Sequence, residues 1–352
     1  MCSSVRVIAT NSSLRLIPSF SPRLPKTSSA FRTLSTVTTC ASRTTEYSQF
    51  PKPFPSYTTR HFHAPSSTMG PLPAVQTISK HDDKVRMLVL ETDAVHPDTH
   101  KEIGSFGEVF NDLLVRAGDA HDPQLGIETI MQYIVEPDGG RVPDHSDIPK
   151  DLHAILITGS EWDAHGDDEW IHKLMEFIKY IWTHRPDIRF TGICFGHQIL
   201  CRTLGSTVEP QSNGQWELSH TPLSLSPIGK ELFQTTSPTL HLHQMHLDHV
   251  VNAPSAHTTN LLKPDTAVHV WATTDHTQVQ GVYIQKRLFT SQGHMEFDER
   301  HVKRQLEMRV EAGSVGQGDA DEAAERAGWR HDGEVVAKAV LRFFHGDDDA
   351  VE

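Results

Sequence analysis

Phe190-Thr191-Gly192-Ile193-Cys194-Phe195-Gly196-His197-Gln198-Ile199-Leu200 is the stretch on which the fold turns. Phe190–Ile193 is an apolar run of strand length, and Gly196–Leu204 has helical spacing with Gly205 placed to end it. Between them stands G-x-C-x-G, the form of a sharp strand-to-helix elbow with cysteine as the nucleophile. Small residues on either side of Cys194 suit a tight turn whose central residue is strained. Such a turn lifts the sulfur above the sheet at a helix N-terminus, where the dipole and free N–H groups favour negative charge on it. The bland alternative is a buried cysteine in a Gly-rich turn. Cys201, inside the helix and without such flanks, reads as core; Cys2 and Cys40 fall in the N-terminal stretch.

Working outward, Val85–Leu90, Ile127–Val135 and Ala154–Ile157 read as strands, the last leading into Thr158-Gly159-Ser160. Ser105–Ala117, closed by Gly118, and Trp170–Trp182, stopped before Pro186, read as amphipathic helices. Strands alternating with helices predict an α/β domain of three layers, with a central, mostly parallel sheet covered on both faces. Further on, Thr239–Leu242, Ala267–Ala272, Val279–Ile284 and Leu288–Ser291 are strand-like. Helices are expected at Glu299–Glu311 and Glu334–Phe344, a loop at Gly313–Ala320, and a solvated acidic tail at Asp347–Glu352.

A cysteine nucleophile needs a base, and the base needs a group to orient it. Just past the Leu288–Ser291 strand comes Gln292-Gly293-His294-Met295-Glu296. His294 and Glu296 alternate along an extended segment, so both side chains can face the same way. The chain has 24 histidines, so one histidine means little; a His-x-Glu after a strand, beside an elbow, means much more.

G-I-C-F-G-H-Q at 192–198, G-H-M-E at 293–296 and I-T-G-S at 157–160 together resemble the class I glutamine amidotransferases. Within them the chain is most similar to the stand-alone, GMP-synthase-amidotransferase-like and γ-glutamyl peptidase branch. The resemblance covers about residues 85–345 and implies a flavodoxin-like α/β domain. Position by position, it implies Cys194 as nucleophile, His294 as base and acid, and Glu296 as its orienting partner. It implies backbone N–H groups of Gly159 and Phe195 as the oxyanion hole. It also implies Gln198 as a wall of the substrate pocket, and His246, in the run His243–Val250, as a contact for the substrate's amino-acid end. The family usually carries proline where this chain has Met295, a change that leaves both flanking side chains in place. The implied chemistry is hydrolysis of a γ-glutamyl amide through a thioester. The substrate is then a small γ-glutamyl molecule, either glutamine or a γ-glutamyl peptide, and no cofactor is expected.

Composition narrows the alternatives. The chain has 352 residues with 32 Lys/Arg against 45 Asp/Glu, a net charge of −13, which argues against nucleic acid as partner. No apolar run reaches membrane-spanning length. Residues 1–80 differ in texture, with nine Lys/Arg and one acid, Glu46, among many Ser, Thr and Pro. That stretch reads as a disordered leader or a mitochondrial transit peptide, with Met69 as an alternative start. The resemblance suggests the cytosol; a transit function of residues 1–68 would suggest the mitochondrial matrix.

The run His241-Leu-His243-Gln-Met-His246-Leu-Asp-His249 invites a metal reading, but its spacing fixes no three ligands, and no metal site is expected. Neither GxxxxGK[ST] nor GxGxxG after a strand occurs. A separate ammonia-accepting synthetase is a possible partner if glutamine is the substrate. A non-catalytic regulatory or binding protein of the same fold is the remaining alternative.

Overall fold

The computed structural model describes residues 84–94, 100–101, 104–348 and 351, and the expected leader over residues 1–80 lies outside them. The first half alternates as expected: β1 (Lys84–Glu91), α1 (Phe106–Asp119), β2 (Gly126–Tyr133), β3 (Ala154–Ile157), α2 (Glu169–His184), β4 (Arg189–Ile193) and α3 (Phe195–Thr203). The second half continues with β5 (Val208–Pro210), β6 (Glu217–Leu225), α4 (Pro227–Leu232), β7 (Thr239–His246), β8 (Asp248–Val250), β9 (His269–Thr273), β10 (Gly281–Ile284) and β11 (Leu288–Ser291). Three helices close the chain: α5 (Glu299–Glu311), α6 (Gln317–Glu325) and α7 (Gly333–His345).

Nine strands form one sheet in the order β2-β1-β3-β4-β11-β10-β9-β6-β7, and β5 pairs with β8 separately. Every neighbour pair from β2 to β11 is parallel, and every pair from β11 to β7 is antiparallel. The sheet is therefore mixed, and the expected mostly parallel character holds only for the half that carries the elbow. The reason is connection length. Parallel neighbours need a helix-length crossover, whereas β10 returns into β11 through a short turn with Lys286 at φ 62°.

Strand alternation sorts the core into layers. Leu88, Leu90, Ile155 and Ile157 face α2 and α3, while Met87, Val89, Ala154 and Leu156 face α1 and α7. α1 begins with a capping box, Ser105 and Glu108 each satisfying the other's backbone N–H, an arrangement worth about 1 kcal/mol. Gly118 does not stop this helix as expected; it lies in its last turn, where a Cβ would stand 2.1 Å from the Leu125 carbonyl oxygen.

Two other expectations fail for tertiary reasons. Residues 317–320 are helical because Ala320 and Ala323 of α6 pack with Val302 and Leu306 of α5 in a third apolar cluster. The acidic end is not wholly solvated: Asp348 is buried, accepting from the Tyr283 hydroxyl (2.9 Å) and the Lys286 N–H (2.8 Å). The unpredicted strand β6 carries Pro222, which is tolerated because β9 joins β6 only at Ser224 and Leu225, leaving most of its length edge-like.

The antiparallel half is locked to the parallel half by Trp271. From β9 its indole crosses β10 above Gly281 and donates to the Thr290 carbonyl of β11 at 2.7 Å. A Cβ on Gly281 would sit 2.0 Å from the indole nitrogen. Gly281→Ala is therefore expected to cost about 2 kcal/mol by overpacking, and Trp271→Phe about 1 kcal/mol by orphaning that carbonyl. Urea denaturation of the two variants measures both.

Candidate active site

The elbow is present as backbone geometry. Cys194 stands between β4 and α3 at φ 52°, ψ −106°, a region that residues with a Cβ rarely occupy. Its N–H is bound by the Ser291 carbonyl at 2.9 Å, which ties the elbow to the end of β11. A Cβ on Gly192 would stand 2.3 Å from the Gly196 carbonyl carbon, and one on Gly196 would stand 2.1 Å from the Ile157 oxygen. The G-x-C-x-G pattern thus reflects three backbones in contact, not composition alone. Phe195 stacks on Trp170, with ring centroids 5.7 Å apart, and fixes the helix start.

The loop after β3 closes over the elbow. Gly196 N–H donates to Thr158 O at 3.1 Å, and Thr92 at the exit of β1 donates its hydroxyl to Gly159 O at 2.9 Å. A Cβ on Gly159 would lie 3.0 Å from His294 Cε1 and 3.5 Å from Cys194 Cβ, so no bulkier residue fits between these side chains. Among the described residues, neither the Gly159 nor the Phe195 amide donates to a protein acceptor. The Phe195 amide is one of the orphan N–H groups of a helix start, suited to binding an anion.

His294 arrives from the other side. Beyond β11 the chain leaves the parallel ladder, and His294 N–H bonds His243 O on β7 at 2.8 Å. The expected alternation follows. Met295 points into the core, while His294 and Glu296 face the cleft and meet at 2.7 Å between Nδ1 and Oε1. The imidazole also lies flat on Phe297, with centroids 3.8 Å apart. Burial alone would depress its pKa, but the Glu296 carboxylate and the Cys194 sulfur outweigh burial and raise it to about 10. With Nδ1 committed to Glu296, Nε2 is the nitrogen left for the sulfur. By contrast, burial pushes the Cys201 thiol up, as expected for a core cysteine.

Cys194, His294, Glu296 and Gly159 share the lining of one cleft that opens to solvent. Gln198 and His246 do not line it. The Gln198 amide donates to Asp248 O (2.9 Å) and Gln292 Oε1 (3.1 Å), bracing α3 against the strand ends. His246 bonds Asp248 O and Glu217 Oε2, each at 2.9 Å, and it is Met245 that reaches the cleft. The Gln198 amide nitrogen and both ring nitrogens of His246 are thus held by protein partners behind the cleft lining.

Among the described residues, His246 is the one histidine of the His-rich run that falls in a potential metal grouping, with Glu217 and His276. Each of their converging atoms already has a hydrogen-bond partner, Gln280 and Thr277 included, so the group works as a polar network joining β6 to β7 and β10. A second grouping comprises Asp163, His165 and Asp248, and there His165 is already bound to Asp248 at 2.9 Å.

Sequence reasoning missed Asp93, Ser160, Gln305 and Arg309, which line the same cleft. Asp93 had a usable signal, because ligands gather at the carboxyl ends of parallel strands. Arg309 had none: it is one charge among several on α5, and only the packing of that helix brings it over the sheet.

The comparisons bear on the family and the fold. A protein of Schizosaccharomyces pombe described as glutamine amidotransferase-like is 26% identical over 255 residues, 72% of this chain and 96% of that one. Gamma-glutamyl peptidase 2 of Arabidopsis thaliana is 27% identical over 203 residues, 57% of this chain and 73% of that one. A solved glutamine amidotransferase from Thermotoga maritima superposes with a TM-score of 0.51 at 19% identity, covering 74% of this chain and 98% of that one. That likeness bears on the fold alone. The family model for glutamine amidotransferase class-I matches residues 121–309, more than half of the chain, with β4, the elbow, β11 and the His-x-Glu segment inside the match. On this α/β sheet, and over that length of match, the chain belongs to the class I glutamine amidotransferases.

Proposed function

We propose that this chain hydrolyses γ-glutamyl amides, with Cys194, His294 and Glu296 as the catalytic groups. The observation that carries the reading is the buried 2.7 Å contact between His294 and Glu296 beside an elbow cysteine. Several relatives named gamma-glutamyl peptidases support a hydrolytic outcome.

His294 takes the thiol proton, and the Cys194 sulfur attacks the γ-carbonyl carbon. The carbonyl oxygen becomes an oxyanion between the Gly159 and Phe195 amides, donors already oriented before the reaction begins. Collapse of this intermediate breaks the C–N bond; His294 returns the proton to the leaving amine, and a γ-glutamyl thioester remains. Water, deprotonated by His294, attacks the thioester and releases glutamate, and the sulfur recovers its proton. Glu296 stabilises the imidazolium formed in both halves and holds the ring in the tautomer that presents Nε2 to the sulfur.

Glutamate release from glutathione and from free glutamine tests this directly. Cys194→Ala is expected to lower release below about one-thousandth of wild type while the thermal melt stays unchanged. Full activity in that variant ends the proposal. Release from glutathione alone marks a peptidase; rapid release from glutamine marks a glutaminase whose ammonia passes to another chain.

Glu296→Gln tests the orienting role. A loss of roughly 10³-fold in kcat is expected. Because Glu296 helps to hold the His294 imidazolium up, removing its charge lets the ring lose its proton at lower pH. The alkaline limb of the pH–rate profile then moves to lower pH, whereas an unmoved limb would deny the pairing.

A further inference from the structure

The cleft that holds Cys194 contains two charged groups that bond-breaking does not require, Asp93 and Arg309. Asp93 follows the last residues of β1, and its carboxylate accepts from Ala94 N–H at 2.8 Å and Glu161 N–H at 3.0 Å. Two backbone donors from two loops fix the direction in which it points. Burial holds its carboxyl well above the ordinary range, and the neighbouring Glu161 adds to that while Arg309 opposes it. A desolvated acid crowded by a second acid is a place that a bound cation would relieve.

Arg309, in the last turn of α5, lies across the Trp216 ring with its guanidinium carbon 5.4 Å from the centroid. Its Nε is buried without a hydrogen-bond partner, and among the described residues no carboxylate is salt-bridged to it. The cleft thus offers an oriented carboxyl that a bound cation would draw into its charged form, and a planar cation with no salt-bridge partner among the described residues, with Phe106 and Met245 as apolar wall. An α-amino acid carries both complementary charges on one carbon, and in a γ-glutamyl group two methylenes separate that carbon from the reacting carbonyl.

We propose that Asp93 and Arg309 clamp the amino-acid end of the substrate, Asp93 receiving the α-ammonium and Arg309 the α-carboxylate, while the γ-carbonyl lies at Cys194. This rests on the γ-glutamyl reading above and deepens it. The clamp selects γ-linked amino acids over plain amides. Arg309 suits it because its planar fork matches a carboxylate.

Binding separates the clamp from the chemistry. Calorimetric titration of the full chain with L-glutamate, glutarate (no ammonium) and 4-aminobutyrate (no α-carboxylate) compares wild type with Asp93→Asn and Arg309→Gln. Wild type is expected to prefer L-glutamate over either truncated acid by about tenfold or more. Asp93→Asn should weaken L-glutamate and 4-aminobutyrate by a similar factor and glutarate far less. Arg309→Gln should weaken L-glutamate and glutarate and largely spare 4-aminobutyrate, and Arg309→Lys should recover part of that loss. Equal losses on all three ligands, or a wild type that does not tell them apart, overturn the clamp. If the crossed pattern holds and no γ-glutamyl amide is cleaved, the clamp stands and the hydrolytic reading falls. Cleavage with a flat binding pattern means the reverse.

Discussion

Three backbones touch at the elbow, and the rest of the site follows from that contact. β4, the strand-exit loop of β3 and the first turn of α3 approach so closely that Gly192 and Gly196 have no room for a Cβ. The price of that contact is the positive φ of Cys194, a strain on the order of 1–3 kcal/mol that persists only where surroundings over-determine it. Here they do: the Cys194 N–H is held by Ser291, the Gly196 N–H by Thr158, and the following ring is stacked on Trp170. The same contact sets Gly159 against Cys194 and His294.

The second half of the sheet delivers His294. β11 runs parallel to β4, so its end lies level with the elbow, and from there the chain crosses to pair with β7 at His243. That crossing positions His294, and the two-residue alternation then dictates Glu296 on the same side and Met295 in the core. Behind them, His243 is buried with neither ring nitrogen paired; burial first, then the histidines around it, holds its pKa down at about 3. A neutral ring there places no competing positive charge against His294. The Trp271 bridge over Gly281 keeps the antiparallel strands in register with the parallel ones, so the position of His294 is fixed through the sheet itself.

The closing helices complete the cleft by a different route. α5 and α6 pack over the strand ends through Val302, Leu306, Ala320 and Ala323, joined by Leu218, Met245 and Phe297 from below. This cluster carries Gln305 and Arg309 to the cleft rim. It also makes α6 a helix, although residues 313–320 have a loop-like composition of glycine, serine and acid. Asp348 shows the same dependence, since an acidic end is held in the interior by the Tyr283 hydroxyl and a backbone N–H.

What the sequence determined alone was local in its physics. A tight turn demands glycines around Cys194, an extended segment alternates His294 with Glu296, and apolar periodicity sets strand against helix in the first half of the chain. Each of these rules acts over a few residues, so each can be read from a few residues. Tertiary structure decided everything that depends on partners distant along the chain. It divided the sheet into parallel and antiparallel halves, turned Gln198 and His246 into buried braces, and brought Asp93 and Arg309 into the cleft of Cys194. Whether a polar side chain is spent on the protein or left facing a cleft depends on which donors and acceptors surround it after folding, and no spacing rule along the chain encodes that.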